Sequence, residues 1–479
     1  MERDDLHREV FRTQGKLTSC FGYDAMGRKA WQFASTLPAE KLSQVHNTGI
    51  NTSLLVEHAY NPIHRRYQYD PAGELVRTLD KLRGEIKYEY EANGQLHSRD
   101  TGSLVGSEEF RYDPAANRLD FNARQLEKVK DNRIKRWRDQ EYRYDPWGNL
   151  IEKRSGHSKL QSFSYDCENR LVRAETMLNG KLESIGTYRY DSLGRRVVKQ
   201  SEINGITEQK RFLWQGLRML REETPEQSIL YLYEPGSYAP LARVDQAEGE
   251  GQKVYYFHTD QIGTPLELSN NEGEIVWQAT YRSWGAIDQM TVNEVEQNLR
   301  FQGQYFDAET GLHYNTFRYY DAEVGRYVTI DPIGLVGGVN LYKYAPNPVS
   351  WQDPLGWITY NTMPGIEGFQ KHHIVPQQLS NHAAMQAGEV NIHKLSNIIY
   401  LPKYEENHPT RTVHRGSHAQ YTAAVEKKLD IIHDYGKKNG WSKTDYQKAI
   451  HGVMVDERKG LRSGKTMLNK NSVRGVGCG

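Results

Sequence analysis

"YRYDPWGNL", residues 142–150, and "FSYDCENRL", residues 163–171, follow one grammar that decides how this chain folds. Aromatic, any residue, then Tyr alternates with the period of a β-strand. The Asp-x-x-Gly that follows suits a tight turn whose last position calls for a positive φ. The same grammar recurs in "FGYDAMGRK", "YQYDPAGEL", "YEYEANGQL", "FRYDPAANRL" and "YRYDSLGRR". The second aromatics fall at Tyr23, Tyr69, Tyr90, Tyr112, Tyr144, Tyr165 and Tyr190, so a unit near 21 residues recurs with insertions. Each unit predicts a β-hairpin. One hairpin cannot bury its aromatic face alone, so neighbours must extend a sheet that curls or closes to hide its edges. The Tyr and Asp are then packing and turn residues, with carbohydrate binding by exposed aromatics as the alternative.

A chain of 479 residues calls for two or three domains unless a repeat array keeps one architecture growing. Its hydrophobic fraction of 37% is low, but 31 Tyr and 9 Trp supply apolar area and mark it as folded. The net charge of +1 hides an asymmetry: residues 358–479 carry +7 and 9 of the 17 His, and residues 1–357 carry −6. Such a division fits a tail that alone meets a polyanion. Cys20, Cys167 and Cys478 form neither a CxxC pair nor a disulfide framework. "MERDDLHREV" lacks the apolar core of a signal peptide, and no run reaches the roughly 18 apolar residues of a membrane span.

Further along, "YYFHTDQIGTPLELSNNEGEIVWQATYRSWG" (255–285) and "LRFQGQYFDAETGLHYNTFRYYDAEVGRYVTIDPIGLVGGVNLYKYAPNP" (299–348) join the repeats. Over residues 16–357 the chain resembles the YD-repeat, or Rhs, family. That resemblance implies a hollow β-cocoon around a C-terminal toxin that differs between members, delivery by a secretion machine such as the type VI system, and a cognate immunity protein in the producer. Full-length relatives are much longer and often carry a delivery domain in front.

Two Asp-Pro pairs, "DPIGL" at Asp331 and "DPLGW" at Asp353, lie 22 residues apart. By themselves they read as turns. If folding brings the carboxylates together, repulsion leaves one protonated and one ionised, the arrangement by which aspartic proteases activate water. The Rhs resemblance implies self-cleavage by Asp331 and Asp353 after Trp357, which stands where the family pattern has Leu.

Beyond Trp357 the repeat grammar stops, and "NTMPGIEG" reads as a linker. "HHIVP" and "NIIYLP" predict extended stretches near 371–376 and 397–401. "YTAAVEKKLDIIHDYG" predicts a helix with Val425, Leu429 and Ile432 on one face and Gly436 as its stop. His414 and His418 are four residues apart, close enough to converge on one metal if they share a helical turn; if Ser417 instead caps the helix, His414 lies in the loop before it, and both rings still stay near one helix start. On an extended backbone His372 and His373 face opposite ways, so one can hold a metal while the other, a base with an ordinary pKa of about 6.5, faces a water and a phosphate. An amide such as Asn397 can fix that base's tautomer.

This set resembles the HNH, or ββα-metal, nucleases and their AHH toxin branch, with Lys371 where the branch has Ala or Gly. The resemblance implies His372, His414 and His418 as ligands of one divalent ion (Mg, Mn, Ni or Zn), His373 as general base and Asn397 as its orienting residue. His408 remains an alternative ligand to His414. A structural zinc site is a further alternative, but such sites use four ligands and favour Cys. The basic "DERKGLRSGKTMLNKNSVRG" (456–475) suits phosphate contacts, or is simply a solvated tail.

The expected architecture is a mainly β repeat body in a curled sheet over 1–330, a self-cleaving segment over 331–357, and a small α+β, helix-rich nuclease domain over 358–479. The expected function is an antibacterial toxin that hydrolyses DNA, with RNA open. It would be made in a bacterial cytoplasm without a signal peptide, would not span a membrane, and would act in the cytoplasm of a target cell. The alternative is a non-catalytic surface or adhesion protein whose repeats bind glycans and whose zinc-stabilised tail binds a partner.

Overall fold

The computed structural model describes residues 2–37, 42, 61–120, 129, 131–332, 340–356, 369–390, 392, 397–405, 410–414, 416 and 418–469. The expected hairpins are present, and their turns show why the repeat needs its Asp. In the first, Asp24 Oδ1 accepts the N–H groups of Met26 (2.9 Å) and Arg28 (3.0 Å), and Gly27 at φ +75° donates to the Asp24 carbonyl. Asp166 and Asp191 repeat this on Glu168 and Arg170 and on Leu193 and Arg195. The fourth turn residue is left-handed throughout, which glycine adopts without strain. Where glycine is absent, Asn169 (φ +59°) and Ala116 (φ +62°) take the same conformation.

The repeat Tyr has an equally specific task. Strand register slips by one residue just before Tyr23, Tyr69, Tyr90, Tyr144, Tyr165 and Tyr190. A bulge recurring in each unit bends and twists the sheet, so curling follows from the repeat itself. Several of these hydroxyls donate to a carbonyl in the preceding unit: Tyr69 to Lys29 (2.9 Å), Tyr112 to Leu96 (2.8 Å) and Tyr165 to Leu150 (2.7 Å).

Among the described residues the hairpins form two antiparallel meanders, one of nine strands between Glu2 and Glu109 and one of fifteen between Arg136 and Asn293. Four short strands between Tyr305 and Tyr327 pack on the larger sheet, joining Tyr305, Leu312, Tyr314 and Tyr319 to Phe163, Tyr188, Phe212 and Trp277 in one core. Charges are enclosed there too. Arg196 Nη1 meets Asp307 Oδ2 at 2.5 Å with both side chains fully buried, and Lys199 reaches Asp307 and Glu309 at 3.1 and 2.9 Å. Because an unpaired charge here would cost several kcal/mol, these pairs fix how the inner strands seat.

The tail has a separate core of Ile374, Val375, Ile399, Leu401, Tyr421, Val425, Leu429, Ile450 and Met454. Strand Phe369–His373 pairs antiparallel with Ile398–Pro402, and helices Ala419–Lys438 and Lys443–Arg462 pack behind them. The expected stop at Gly436 is corrected: the helix runs on to Lys438, and a Cβ at Gly436 would sit 2.5 Å from the Tyr446 ring. That glycine allows close helix packing. The linker lies outside the described residues, as do Trp357, His408 and Ser417. Among the described residues no helix is long and apolar enough to cross a membrane.

Candidate metal centre and junction carboxylates

In the hairpin Phe369–His373/Ile398–Pro402, His372 lies opposite Ile399 and His373 opposite Ile398, so the two imidazoles leave the strand on opposite faces. His372 turns towards the loop that leads into the long helix. There the His414 N–H is clipped to the Pro402 carbonyl at 2.7 Å, the chain turns at Gly416 (φ +66°), and His418 becomes the helix N-cap. The ring centres of His372 lie 5.2 Å from His414 and 5.1 Å from His418, and the latter two are 4.4 Å apart. One nitrogen from each can be chosen so that all three lie within 4.8 Å of one another.

This cluster suits a cation. His372 Nε2 and His418 Nε2 are buried without a hydrogen-bond partner, which is costly unless something electrophilic sits between them. Burial, then repulsion from His414, His418 and His373, pushes His372 down to about 2. Burial and His418 bring His414 to about 4, and burial lowers His418. All three are therefore neutral near pH 7, the ligand form of imidazole. Tyr421 packs its ring on His372 at 5.5 Å and donates its hydroxyl to the Ile374 carbonyl at 2.6 Å. Nothing in its sequence context singled it out.

Asn397 has a different task from the one expected. Its Nδ2 donates to the carbonyls of Val375 (2.9 Å) and Ile392 (2.8 Å), and its Oδ1 accepts from Val375 N–H (2.6 Å). The carboxamide is thus spent on backbone and not on His373. It clamps the turn directly after the histidine pair. His373 itself is 7% exposed.

At the junction, Asp331 and Asp353 do come together. Arg318 Nη2 lies 3.3 Å from Asp331 Oδ2 and 3.3 Å from Asp353 Oδ2. Tyr327 donates its hydroxyl to Asp353 Oδ2 at 2.9 Å, and Asn315 Nδ2 donates to the Asp353 carbonyl at 2.8 Å. The Arg318 guanidinium stacks 3.6 Å above the Tyr327 ring. Sequence reading missed Arg318 because its partners are 13 and 35 residues away with no periodic relation to it.

With this geometry in hand, comparison with known proteins separates the two parts of the chain. The Teneurin YD-shell family matches residues 73–349, and a nuclease family of the HNH/ENDO VII superfamily with conserved AHH matches residues 356–456. The double-stranded DNA deaminase toxin A of Burkholderia cenocepacia is 41% identical over 380 residues, 74% of this chain and 25% of the relative. Toxin protein Tse5 of Pseudomonas aeruginosa is 33% identical over 61% of this chain and 27% of its own. The probable deoxyribonuclease RhsA of Dickeya dadantii is 32% identical over 61% of this chain and 21% of its own. The chain therefore spans about a quarter of the length of these relatives. Among solved structures, a chain of the Photorhabdus luminescens Tc holotoxin pore superposes over 74% of this chain and 19% of its own with a TM-score of 0.51 and 18% identity, a likeness of fold. The relatives' names carry different activities, so the shared shell does not select one.

Proposed function

Because this chain belongs to the YD-shell, Rhs-type family and its tail matches the AHH nucleases, we propose that it is an antibacterial toxin whose tail, residues 358–479, hydrolyses phosphodiester bonds in DNA. One observation carries this reading: three neutral imidazoles converge, two with buried nitrogens that lack a partner, and no Cys, Asp or Glu of the described residues completes their cluster. A closed structural site would supply a fourth protein ligand. His372, His414 and His418 would hold one divalent ion, Mg, Mn, Ni or Zn. Bound there, it supplies positive charge to the phosphorane and the leaving oxygen. His373, on the opposite face of the same strand, takes the proton of the attacking water. Asn397 and Tyr421 act indirectly by fixing the backbone at Ile374 and Val375 that sets both imidazoles. RNA is the alternative substrate. The toxin would leave the producing cell through a secretion machine and act in a target cytoplasm, and a cognate immunity protein would protect the producer.

The convergence of Asp331 and Asp353 on Arg318 supports a second activity at the junction. The ionised carboxylate takes a proton from water while the protonated one donates to the carbonyl oxygen of Trp357. The peptide bond then breaks to a carboxylate at Trp357 and an amine at Ile358. Arg318 and Tyr327 position Asp353. Asp331→Asn and Asp353→Asn should each leave the chain intact where the parent yields two fragments. A single intact band from the parent after prolonged incubation overturns self-cleavage.

The nuclease is tested by plasmid nicking with the full chain in Mg, Mn, Ni, Zn or EDTA. Nicking should require metal and disappear in His373→Ala while metal binding persists. Metal binding without cleavage of DNA or RNA would instead favour the glycan-binding surface protein with a zinc-stabilised tail.

A further inference from the structure

Between the shell and the tail lies a cavity of about 620 Å³, bounded on the shell side by Arg28 and Glu74 and on the tail side by Ile398, Arg411, Arg458 and Arg462. Arg458 and Arg462 stand one turn apart on the final helix, beside the line Tyr446, Ile450, Met454 and Leu461 that faces the tail's core. Arg458 Nη2 donates to the Ile398 carbonyl at 3.0 Å, and Ile398 is the register partner of His373. The arginine cluster is thus one strand away from the proposed base.

We propose that Arg411, Arg458 and Arg462 grip the phosphodiester backbone of the substrate, and that Glu74 of the shell occupies their place while the tail remains seated. This rests on the nuclease reading. Glu74 Oε1 lies 3.9 Å from Arg462 Nη2, and Arg462 Nη1 donates to the Ala92 carbonyl of the shell at 3.5 Å. Glu74 is itself held in place. Its N–H donates to Asp70 Oδ1 (2.8 Å) and its Oε2 accepts from Asn347 Nδ2 (3.0 Å). The backbone beside it is close as well, since a Cβ at Gly73 would lie 3.7 Å from Arg411 Nη2.

The three guanidiniums repel one another. Burial, followed by repulsion from its neighbouring arginines, pushes Arg458 down to about 9 and Arg411 to about 10. On the shell side, burial and the charge of Arg458 bring Lys343 to about 8. Among the described residues, Glu74 and Asp70 offset part of this. Guanidinium does not give up its proton in a protein, so the pressure is met by anions, and a row of phosphates supplies them in the geometry that Arg matches best.

Anisotropy of a labelled 20-base-pair duplex, measured with the full chain in EDTA across a salt series, tests this. Glu74→Gln should tighten binding up to about 5-fold, and log K should fall with log salt at a slope of about −2.7 for three phosphate contacts. Adding Arg458→Ala and Arg462→Ala should flatten that slope by about 2, and the double Lys variant, which preserves charge if the Ala pair unfolds, should retain it. Unchanged affinity in Glu74→Gln, or an unchanged slope without the two arginines, overturns the proposal. The same variants, given metal and plasmid, separate this site from the reaction. Arginine-dependent binding with no nicking sinks the nuclease reading and leaves the site standing. Nicking with a KM unmoved by the loss of both arginines sinks the site alone.

Discussion

Replacing His372 with Phe gives the strictest test of the histidine cluster, because it separates the cost of an empty site from the benefit of a filled one. Two buried imidazole nitrogens, on His372 and His418, have no partner. A buried unsatisfied group costs about 1–3 kcal/mol, so without metal the tail carries a penalty that Phe removes at one position. The new ring takes a slot already walled by Tyr421 at 5.5 Å and by His414 and His418 at 5.2 and 5.1 Å, and its extra volume returns about 1 kcal/mol of that gain. In EDTA the variant should therefore be more stable than the parent by about 1 kcal/mol. With metal at 100 times its Kd the parent gains about 2.7 kcal/mol and overtakes it, and the variant gains little. Native-state hydrogen exchange at the Val425 and Leu429 amides, in the middle of the helix that begins at His418, reads both numbers within the tail. A variant less protected than the parent in EDTA, with metal-dependent protection intact, would refute the reasoning.

Asn397→Ala leaves the Val375 N–H and the Val375 and Ile392 carbonyls without their partner and should cost the tail about 3 kcal/mol or more by urea unfolding. A loss under about 0.5 kcal/mol would return Asn397 to a purely catalytic role. Burial, with repulsion from Arg66, Arg65 and Arg300 respectively, pushes His64 down to about 4 and both His258 and His313 to about 3. Folded values below the ordinary 6.5 mean that their stabilisation is complete above pH 6.5 and drains as pH falls, by roughly 1.4 kcal/mol per unit for each group. Urea midpoints of the shell should drop steadily from pH 7 to 5, and midpoints flat to pH 5 would contradict this. Gly303→Ala, at φ +80° with the new Cβ 1.9 Å from the Pro354 carbonyl oxygen, should loosen the junction and expose it to proteolysis. Gly180→Ala, at φ +76° in open space, is the control and should cost about 1 kcal/mol with no new cleavage.

What could be read from the chain is what its neighbours decide. The YD turn is legible because Asp24, Asp166 and Asp191 bond to groups two and four residues ahead, within one quoted stretch. The seating of the inner strands is not legible, because Arg196 finds Asp307 at a separation of 111 residues and both read as ordinary surface charges beforehand. Gly436 misled for a related reason. A glycine near a helix end is a stop by local rules, but here it answers to Tyr446 on the next helix. The His414–His418 spacing fitted one cation locally, whereas the third partner, His372, was supplied by resemblance and then by the hairpin register. Asn397 was assigned to the His373 imidazole by resemblance. The nearer backbone donors and acceptors of Val375 and Ile392 take it first, and a buried amide with four bonding sites goes where most of them are met.

The described contacts also separate the strength of the two halves' attachments. Of the groups that hold Asp353 through Gly356 in place, Asn315, Tyr327, Arg318 and the Gly303 backbone beneath Pro354 belong to the shell, and Tyr344, which accepts from the Asp353 N–H, lies on the shell side of the cut. A break after Trp357 would leave them intact, so the shell should not unravel when its tail is freed. The tail keeps a core of its own, and its seam includes an Arg462–Glu74 approach of 3.9 Å and a long bond to the Ala92 carbonyl. Partly exposed pairs of that kind are worth about 1 kcal/mol or less. Covalent continuity, more than contact energy, would then keep the tail seated, and cutting the chain would change its effective concentration at the seam instead of the seam itself. Salt should therefore release a cleaved tail readily and leave an uncleaved one in place; co-elution of both fragments at about 1 M salt would show that the seam holds by stronger forces than these.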